Sequence, residues 1–344
     1  MNKPMFILSK SKVMEQYKKV KVLADTVSYS SKTNQLVTKI LEEKTDCLFS
    51  VHLENELKHI KDFSRVIFLA QGWTNNYIKK LVDKGINYFV VDNKPDLDIL
   101  ENFLKSNNVK INLLLRLKLK ELSIRTEKYF VFGMPSDIVN KKIKELRKNK
   151  NIRTLGVHFH RKTQNMSEWN LKQELSEILE EDVLKAIDVV NIGGGLPSEY
   201  ANTNVNVMNS IFKKVNKLKQ WLNQNNIKLI IEPGRFIAAS SCKLVTEIIG
   251  IYDHNIIVNA SVYNSDMDAL VVPVKLLIQG ELEKGKGKPY VIKGVTPCSM
   301  DLFRYRVYLK EPKVGDELVF LNAGAYNFAS DFCDLEKMFT EVLE

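Results

Sequence analysis

Between about residues 26 and 234, eight strand signals alternate with eight helix signals, and this alternation leaves few folds open. The strand candidates are short β-branched or apolar runs: Thr26–Tyr29, Cys47–Val51, Arg65–Leu69, Tyr88–Asp92, Ile111–Leu117, Thr154–His160, Val189–Ile192 and Lys228–Glu232. Helical patterns between them include Asn34–Glu43, Asn75–Lys84, Pro95–Ser106, Asp137–Lys150, Ser167–Ala186 and Val205–Asn225. Short strand–helix connections argue for a parallel sheet, and eight units argue for closure into a (β/α)8 TIM barrel. The runner-up is an open doubly wound sheet, which usually carries a glycine-rich phosphate loop after its first strand. Here the first strand runs into Tyr29-Ser30-Ser31-Lys32-Thr33-Asn34, without a glycine.

After Arg235 the pattern changes. Strand signals at Leu244–Tyr252, Ile256–Asn259, Val271–Gln279, Tyr290–Lys293, Arg304–Leu309 and Glu317–Asn322 come with no clear long helix. Met5–Leu8 also reads as a strand, lying before the barrel begins. The expected α/β organisation is therefore a barrel over residues 22–242 and a C-terminal β-rich, sandwich- or barrel-like domain that also takes in residues 1–21. A chain of 344 residues is long enough to bury two cores.

Composition narrows the class. Apolar runs such as Ile111–Leu115 are far too short to cross a bilayer, so no membrane partner is expected. Four cysteines without CxxC spacing argue against a zinc site and fit a reduced cytoplasm. The formal charge of +10 reads as lysine-rich solvated helix faces, or as a preference for an anionic substrate or an acidic partner. The basic residues are dispersed without interleaved aromatics, so no nucleic acid is expected.

A TIM barrel builds its active site at the C-terminal strand ends, with a phosphate site commonly after strands seven and eight. Those two tips read Asn191-Ile192-Gly193-Gly194-Gly195 and Glu232-Pro233-Gly234-Arg235. A triple glycine lets backbone N–H groups approach a phosphate, and Arg235 adds charge. Glu232 is unnecessary for phosphate and suits a basic ring nitrogen. Lys32, just past the first strand, is a surface residue by default or a Schiff-base lysine if its surroundings allow. Together these residues point to pyridoxal 5′-phosphate. Strand six ends in His158-Phe159-His160, where alternation puts both imidazoles on one face. His160 can stack on a cofactor ring, His158 reads as a barrel-interior histidine, and Thr163 can donate to phosphate. Glu232 can alternatively pair with Arg235. Cys298, after Thr296-Pro297, is either an exposed proton donor or a buried apolar thiol.

These pieces, in order along nearly the whole chain, resemble the fold-type III PLP-dependent decarboxylases, the alanine-racemase-like barrel group. That group includes ornithine, diaminopimelate, arginine and carboxynorspermidine decarboxylases. Tyr29 to Asn34 resembles the family's lysine motif, and Leu115-Arg116-Leu117 its strand-five arginine. Gly156 to His160 with Thr163-Gln164 resembles the histidine segment. Gly193, Gly194, Gly195, Glu232, Gly234 and Arg235 resemble the phosphate cup and the pyridine-nitrogen glutamate. Asn322-Ala323-Gly324-Ala325-Tyr326 resembles the motif whose tyrosine contacts the phosphate. The resemblance implies a PLP-dependent carboxy-lyase with Lys32, His160 and Cys298 in catalytic roles. It further implies a homodimer with shared active sites, in which Cys298 serves the neighbouring subunit.

Departures from the family bear on substrate. Ser50, Ser299 and Val272 stand where diamine-forming members carry acids, while Glu56 is retained. A distal ammonium would lack its usual partners, unless Asp301, Asp266 or Asp268 compensates, and burying it unpaired is costly. Arg161 and Lys162 then point to an anionic tail. The pattern is similar to the family's tailoring decarboxylases in siderophore, aminoglycoside and microcin C-type pathways. The expected substrate is an amino-acid head, such as a 3-amino-3-carboxypropyl group, on a larger anionic conjugate. Free ornithine, lysine, diaminopimelate or carboxynorspermidine is the alternative. A racemase on the same fold is disfavoured by Glu232, and a non-catalytic mimic by the survival of the cofactor residues.

Overall fold

The computed structural model describes residues 3–119 and 131–344. Residues 1–2 of the expected N-terminal segment and 120–130 of the expected barrel lie outside the described residues. Contacts divide the chain into two compact units. One is Lys18–Leu196 with Val207–Gly234; the other is Met1–Tyr17 with Pro197–Asn206 and Arg235–Glu344. The divisions thus fall at 17/18, 196/197, 206/207 and 234/235, where the sequence pattern places them at 21/22 and 242/243. Among the described residues, no helix is long and apolar enough to cross a membrane, and no group of three or more His, Cys, Asp or Glu side chains could hold a metal ion.

Strand β1 (Met5–Ser9) belongs to the β-rich unit. The other unit is a closed barrel of eight parallel strands in sequence order. They are β2 (Thr26–Ser30), β3 (Leu48–Val51), β4 (Val66–Ala70), β5 (Tyr88–Val91), β6 (Ile111–Arg116), β7 (Ile152–His158), β8 (Val189–Asn191) and β9 (Lys228–Ile231), and β9 pairs with β2 to close the ring. All eight expected strands are present, with ends shifted by one or two residues. Parallel strands are covered on both faces, which is why they read as continuous apolar runs. Ile67, Val90, Leu114, Val189 and Ile230, from five different strands, form one buried cluster. The register sets Ser30 beside Ser50, Arg116 beside His158 and His158 beside Asn191, so polar residues gather at the tips.

The barrel helices start at side-chain caps. Asn34 accepts from the N–H groups of Leu36 and Val37 to open Gln35–Lys44, and Asn93 accepts from Asp96 N to open Lys94–Ser106. Two expectations are corrected. The single helix over Ser167–Ala186 is two, Leu171–Ile178 and Glu181–Ala186. Asn140 causes the break: its side chain donates to Ile178 O at 2.8 Å and accepts from Glu180 N at 3.3 Å. Nor are there eight full helices, because β3 is followed by a 3-10 helix, Glu54–His59, and β9 by the single turn Arg235–Ala238.

The β-rich unit is an eight-stranded sheet. Its strands are β1, β10 (Cys242–Tyr252), β11 (Asn255–Val258), β12 (Leu277–Ile278), β13 (Lys288–Lys293), β14 (Leu302–Leu309), β15 (Glu317–Leu321) and β16 (Phe339–Leu343). The first strand does join this sheet, antiparallel to β10 and parallel to β16. The strand expected over Val271–Gln279 is reduced to β12. Its first residue closes the short helix Met267–Val271, which follows another, Val262–Ser265.

Candidate active site

Lys32 lies in a 3-10 turn, Ser31–Thr33, directly after β2. The turn is pinned from both sides. Ser31 Oγ bonds Thr38 Oγ1 at 3.0 Å, and Tyr29 OH donates to Asn34 O at 3.3 Å. Lys32 itself is exposed, and its ammonium makes no hydrogen bond or ion pair among the described residues.

Glu232 follows β9 and is buried. Its Oε1 accepts from Ser50 Oγ at 2.7 Å and from Asn191 Nδ2 at 2.8 Å, and its Oε2 lies 3.2 Å from His158 Nε2. Burial alone would raise its pKa. The His158 charge and these three hydrogen bonds outweigh burial and hold the carboxyl well below the usual carboxylate range. An ionised carboxylate offers about four lone-pair sites. Three are filled, so one stays open for a ligand proton. Ser28 Oγ, 2.7 Å from Ser50 Oγ, backs the arrangement. His158 is therefore more than barrel filling: it holds the carboxylate. Ser50 and Asn191 hold the carboxylate in a way that sequence reasoning missed, although Asn191, two residues before Gly193, stands in the same strand tip.

The glycines of the seventh tip are demanded by backbone approach. A Cβ on Gly193 would meet Phe159 O at 2.5 Å, on Gly194 Glu232 O at 2.6 Å, and on Gly195 Lys162 O at 2.6 Å. Gly193 and Gly195 also sit at φ of +64° and +102°, where side chains are strained. A Cβ on Gly234 would meet Thr33 Oγ1 at 2.2 Å. Asn191 joins this tip to the carboxylate, since its Oδ1 accepts from Gly193 N at 2.9 Å. Gly194 N donates to His160 Nδ1 at 3.2 Å, which leaves Nε2 to carry the proton of the neutral ring. Desolvation by the surrounding protein, then the Arg116 charge, lower His160 to about 4, although the residue is exposed at the barrel mouth. Arg116 is steered by Asp92, Nη1 to Oδ1 at 2.8 Å, and Gln71 holds the other Asp92 oxygen.

One family model, "Pyridoxal-dependent decarboxylase, pyridoxal binding domain", matches residues 10–239. The chain belongs to the pyridoxal-dependent decarboxylase family. A diaminopimelate decarboxylase of Aquifex aeolicus is 24% identical over 281 residues, which are 77% of this chain and 66% of that protein. Among solved structures, diaminopimelate decarboxylase of Helicobacter pylori complexed with L-lysine shares the fold with a TM-score of 0.83 at 19% identity, covering 100% of this chain and 92% of that one. Lysine/ornithine decarboxylase of Vibrio vulnificus complexed with putrescine gives 0.79 at 21% identity, covering 99% and 94%.

The barrel tips fit the family's cofactor: a cradle that a Cβ would fill, a lysine amine without a partner, a neutral imidazole and a buried ionised carboxylate. Thr163 is half-buried in the loop between His160 and Trp169. Two expectations fail beside it. Arg161 and Lys162 do not present free positive charge to an anionic tail. Arg161 is buried and paired with Glu168 and Glu174, and Lys162 lies 2.9 Å from Glu168.

In the β-rich unit, Arg235 Nη2 donates to Asp268 Oδ1 at 2.9 Å, with Nη1 on the other oxygen and on Tyr200 OH. The Tyr326 ring lies 5.0 Å from its guanidinium carbon. Cys298 is partly exposed and Ser299 exposed. Asp301, expected at the substrate, is a buried hub engaged by its own loop: it accepts from Val262 N at 2.8 Å, Thr296 N at 3.0 Å and Thr296 Oγ1 at 2.7 Å. Of the neighbouring acids, Asp268 is held by Arg235 and Asp266 is fully buried, where burial, then the Asp268 charge, raise its pKa well above the ordinary carboxylate range.

Proposed function

We propose that this chain removes the α-carboxylate of an amino acid, using pyridoxal 5′-phosphate. The observation that carries the reading is Glu232, buried and ionised, with one lone-pair site still open. When bound, the cofactor supplies an aldehyde that joins amines and a ring that takes up the electrons released at Cα. Lys32 would hold the aldehyde and exchange places with the substrate amine. Glu232 would keep the ring nitrogen protonated, which would favour loss of CO2 from Cα. His160, neutral, would lie against the ring without adding charge. Gly193, Gly194, Gly195, Gly234 and Thr163 would receive the phosphate, with Arg116 orienting the ring. Cys298, from a second copy of the chain in a homodimer, returns a proton to Cα.

For the substrate tail we infer a group without a free distal ammonium. Ser50 bonds Glu232, Asp301 is held by its own loop and Asp268 by Arg235, so of the expected acids only the half-buried Glu56, whose Oε1 accepts from His52 N and Leu53 N, is left to receive an ammonium. An amino-acid head on a larger conjugate, as in microcin C-like biosynthesis, fits this best. Its anionic character no longer draws support from Arg161 or Lys162. The second reading, turnover of free diaminopimelate, ornithine or lysine, is favoured by the names of the relatives. A CO2-release screen over these amino acids and over 3-amino-3-carboxypropyl conjugates decides between them. Release only from conjugates supports the first reading; efficient turnover of a free diamino acid refutes it and leaves decarboxylation in place.

A further inference from the structure

We propose that Tyr263 is a positioning residue for Cys298: its hydroxyl aims the thiol and stabilises the thiolate left when the proton departs. The proposal rests on the reading of Cys298 as the proton donor to Cα. In that step the S–H bond breaks, a Cα–H bond forms with the electron pair left by CO2, and the sulfur keeps its own pair as thiolate. Solvent then returns the proton to sulfur.

Tyr263 OH lies 3.0 Å from Cys298 Sγ. With a neutral thiol either group can donate; with a thiolate only the phenol can. The contact is built from both sides. Ser261 Oγ accepts from Tyr263 N at 3.2 Å, and Tyr263 O accepts from Ser330 N and Ser330 Oγ at 2.9 Å each. The Tyr263 ring stacks on Phe332, with centroids 4.0 Å apart and planes at 21°. On the other side, Asp301 N donates to Cys298 O at 3.0 Å. The same Asp301 carboxylate binds Val262 N, next to Tyr263, and both donors of Thr296. One buried acid thereby ties the tyrosine's helix to the cysteine's turn. A Cβ on Gly294 would come within 2.0 Å of that carboxylate, so the turn closes on it tightly.

The electrostatics agree. The tyrosine hydrogen bond, then the Met300 backbone, pull the Cys298 thiol below its ordinary 9.0. The same bond pushes Tyr263 up to about 12, so the phenol stays protonated and able to donate. Two other groups act on the pair: the Asp301 charge raises both, and Cys333 raises Tyr263. A more acidic thiol delivers its proton faster to a carbanion, and its conjugate base is held until solvent restores it.

The test is alkylation of Cys298 by iodoacetamide across the neutral to alkaline range, read by peptide mass. It uses the full-length protein carrying Cys333→Ser, because Cys47 and Cys242 are buried. Tyr263→Phe keeps the ring and its stack but loses the donor. The alkylation midpoint should move to higher pH. At neutral pH the rate should fall about threefold for each tenfold loss of thiolate, because a more basic thiolate is also more nucleophilic. Replacing Tyr263 by 3-fluorotyrosine, a stronger donor of nearly the same shape, should move the midpoint the other way. A Tyr263→Phe profile that superimposes on the parent, or a fluorotyrosine shift to higher pH, overturns the proposal. Failure of the donor reading shows separately: Cys298→Ala with full turnover would remove the donor while the alkylation shifts remain.

Discussion

Replacing Asn191 by alanine probes the part of the barrel that no single motif describes. Its side chain is fully buried and makes two hydrogen bonds, to Glu232 Oε1 at 2.8 Å and from Gly193 N at 2.9 Å. Alanine leaves a buried N–H and a buried carboxylate each short of one partner. Each such orphan costs about 1–3 kcal/mol, with the charged one at the upper end. The sum, about 4 kcal/mol, is a large part of the ~5–15 kcal/mol that holds a domain folded. At roughly 2–4 °C per kcal/mol for a unit of this size, Tm should fall by about 8–16 °C. Asn191→Asp separates the two bonds. It keeps the acceptor for Gly193 but sets a second carboxyl beside Glu232, so one of the pair must take up a proton. Its loss should therefore be worst at neutral pH and partly recover on acidification. The assay is thermal unfolding followed by circular dichroism, with cofactor absorbance as a second channel. If Asn191→Ala melts within 2 °C of the parent and binds cofactor equally (a change under about 1 kcal/mol), the network around Glu232 is not what shapes this site.

Borohydride should bleach the cofactor absorbance of the loaded protein and leave a reduced adduct on Lys32 by peptide mass; Lys32→Ala with full turnover would contradict the mechanism. Mixing inactive Lys32→Ala with inactive Cys298→Ala should restore part of the activity, because one site of each mixed dimer regains both groups; no recovery after demonstrated subunit exchange would count against shared sites. Stability should fall on acidification between pH 6.5 and 4. Burial, then nearby positive charge, lowers His52 to about 3 and His160 to about 4 from an ordinary 6.5. The unfolded chain therefore binds these protons first, and the stability they represent is complete above 6.5 and drains away as pH falls. The urea midpoint should drop across that window, less steeply in His52→Asn with His160→Asn; a flat midpoint in the parent protein would refute the shifts.

The barrel was legible because its strands are apolar on both faces and its helices carry caps such as Asn34 and Asn93. Where tertiary contacts override local pattern, the sequence misleads. Ser167–Ala186 keeps helical periodicity, yet Asn140, from the helix Ser136–Leu146, inserts at Ile178 and Glu180 and splits it. Val271–Gln279 is rich in β-branched residues, but among the described residues the strand is only Leu277–Ile278, paired with β15. The site divides the same way. Lys32, Glu232 and the glycine tips stand in short contiguous motifs. Ser50, His158 and Asn191 lie 182, 74 and 41 positions from the carboxylate they hold, a distance no local pattern spans. Charge without partners misleads as well: Arg161 and Lys162 look available until Glu168 and Glu174 are seen beside them, and Asp301 until its three donors are found.

Decarboxylation, rather than proton exchange alone, is the claim on which the account turns, and mass spectrometry of products formed in D2O tests it most directly. The loaded protein is incubated with the panel of free and conjugated amino acids. A decarboxylase guided by Glu232 yields an amine about 43 Da lighter than its substrate, because CO2 takes away about 44 Da and one deuterium in place of hydrogen at Cα adds about one. Cys298→Ala should lower the rate of that labelled product. Recovery of intact amino acid carrying deuterium at Cα, with no amine formed from any substrate, would contradict the account and assign the barrel to racemisation.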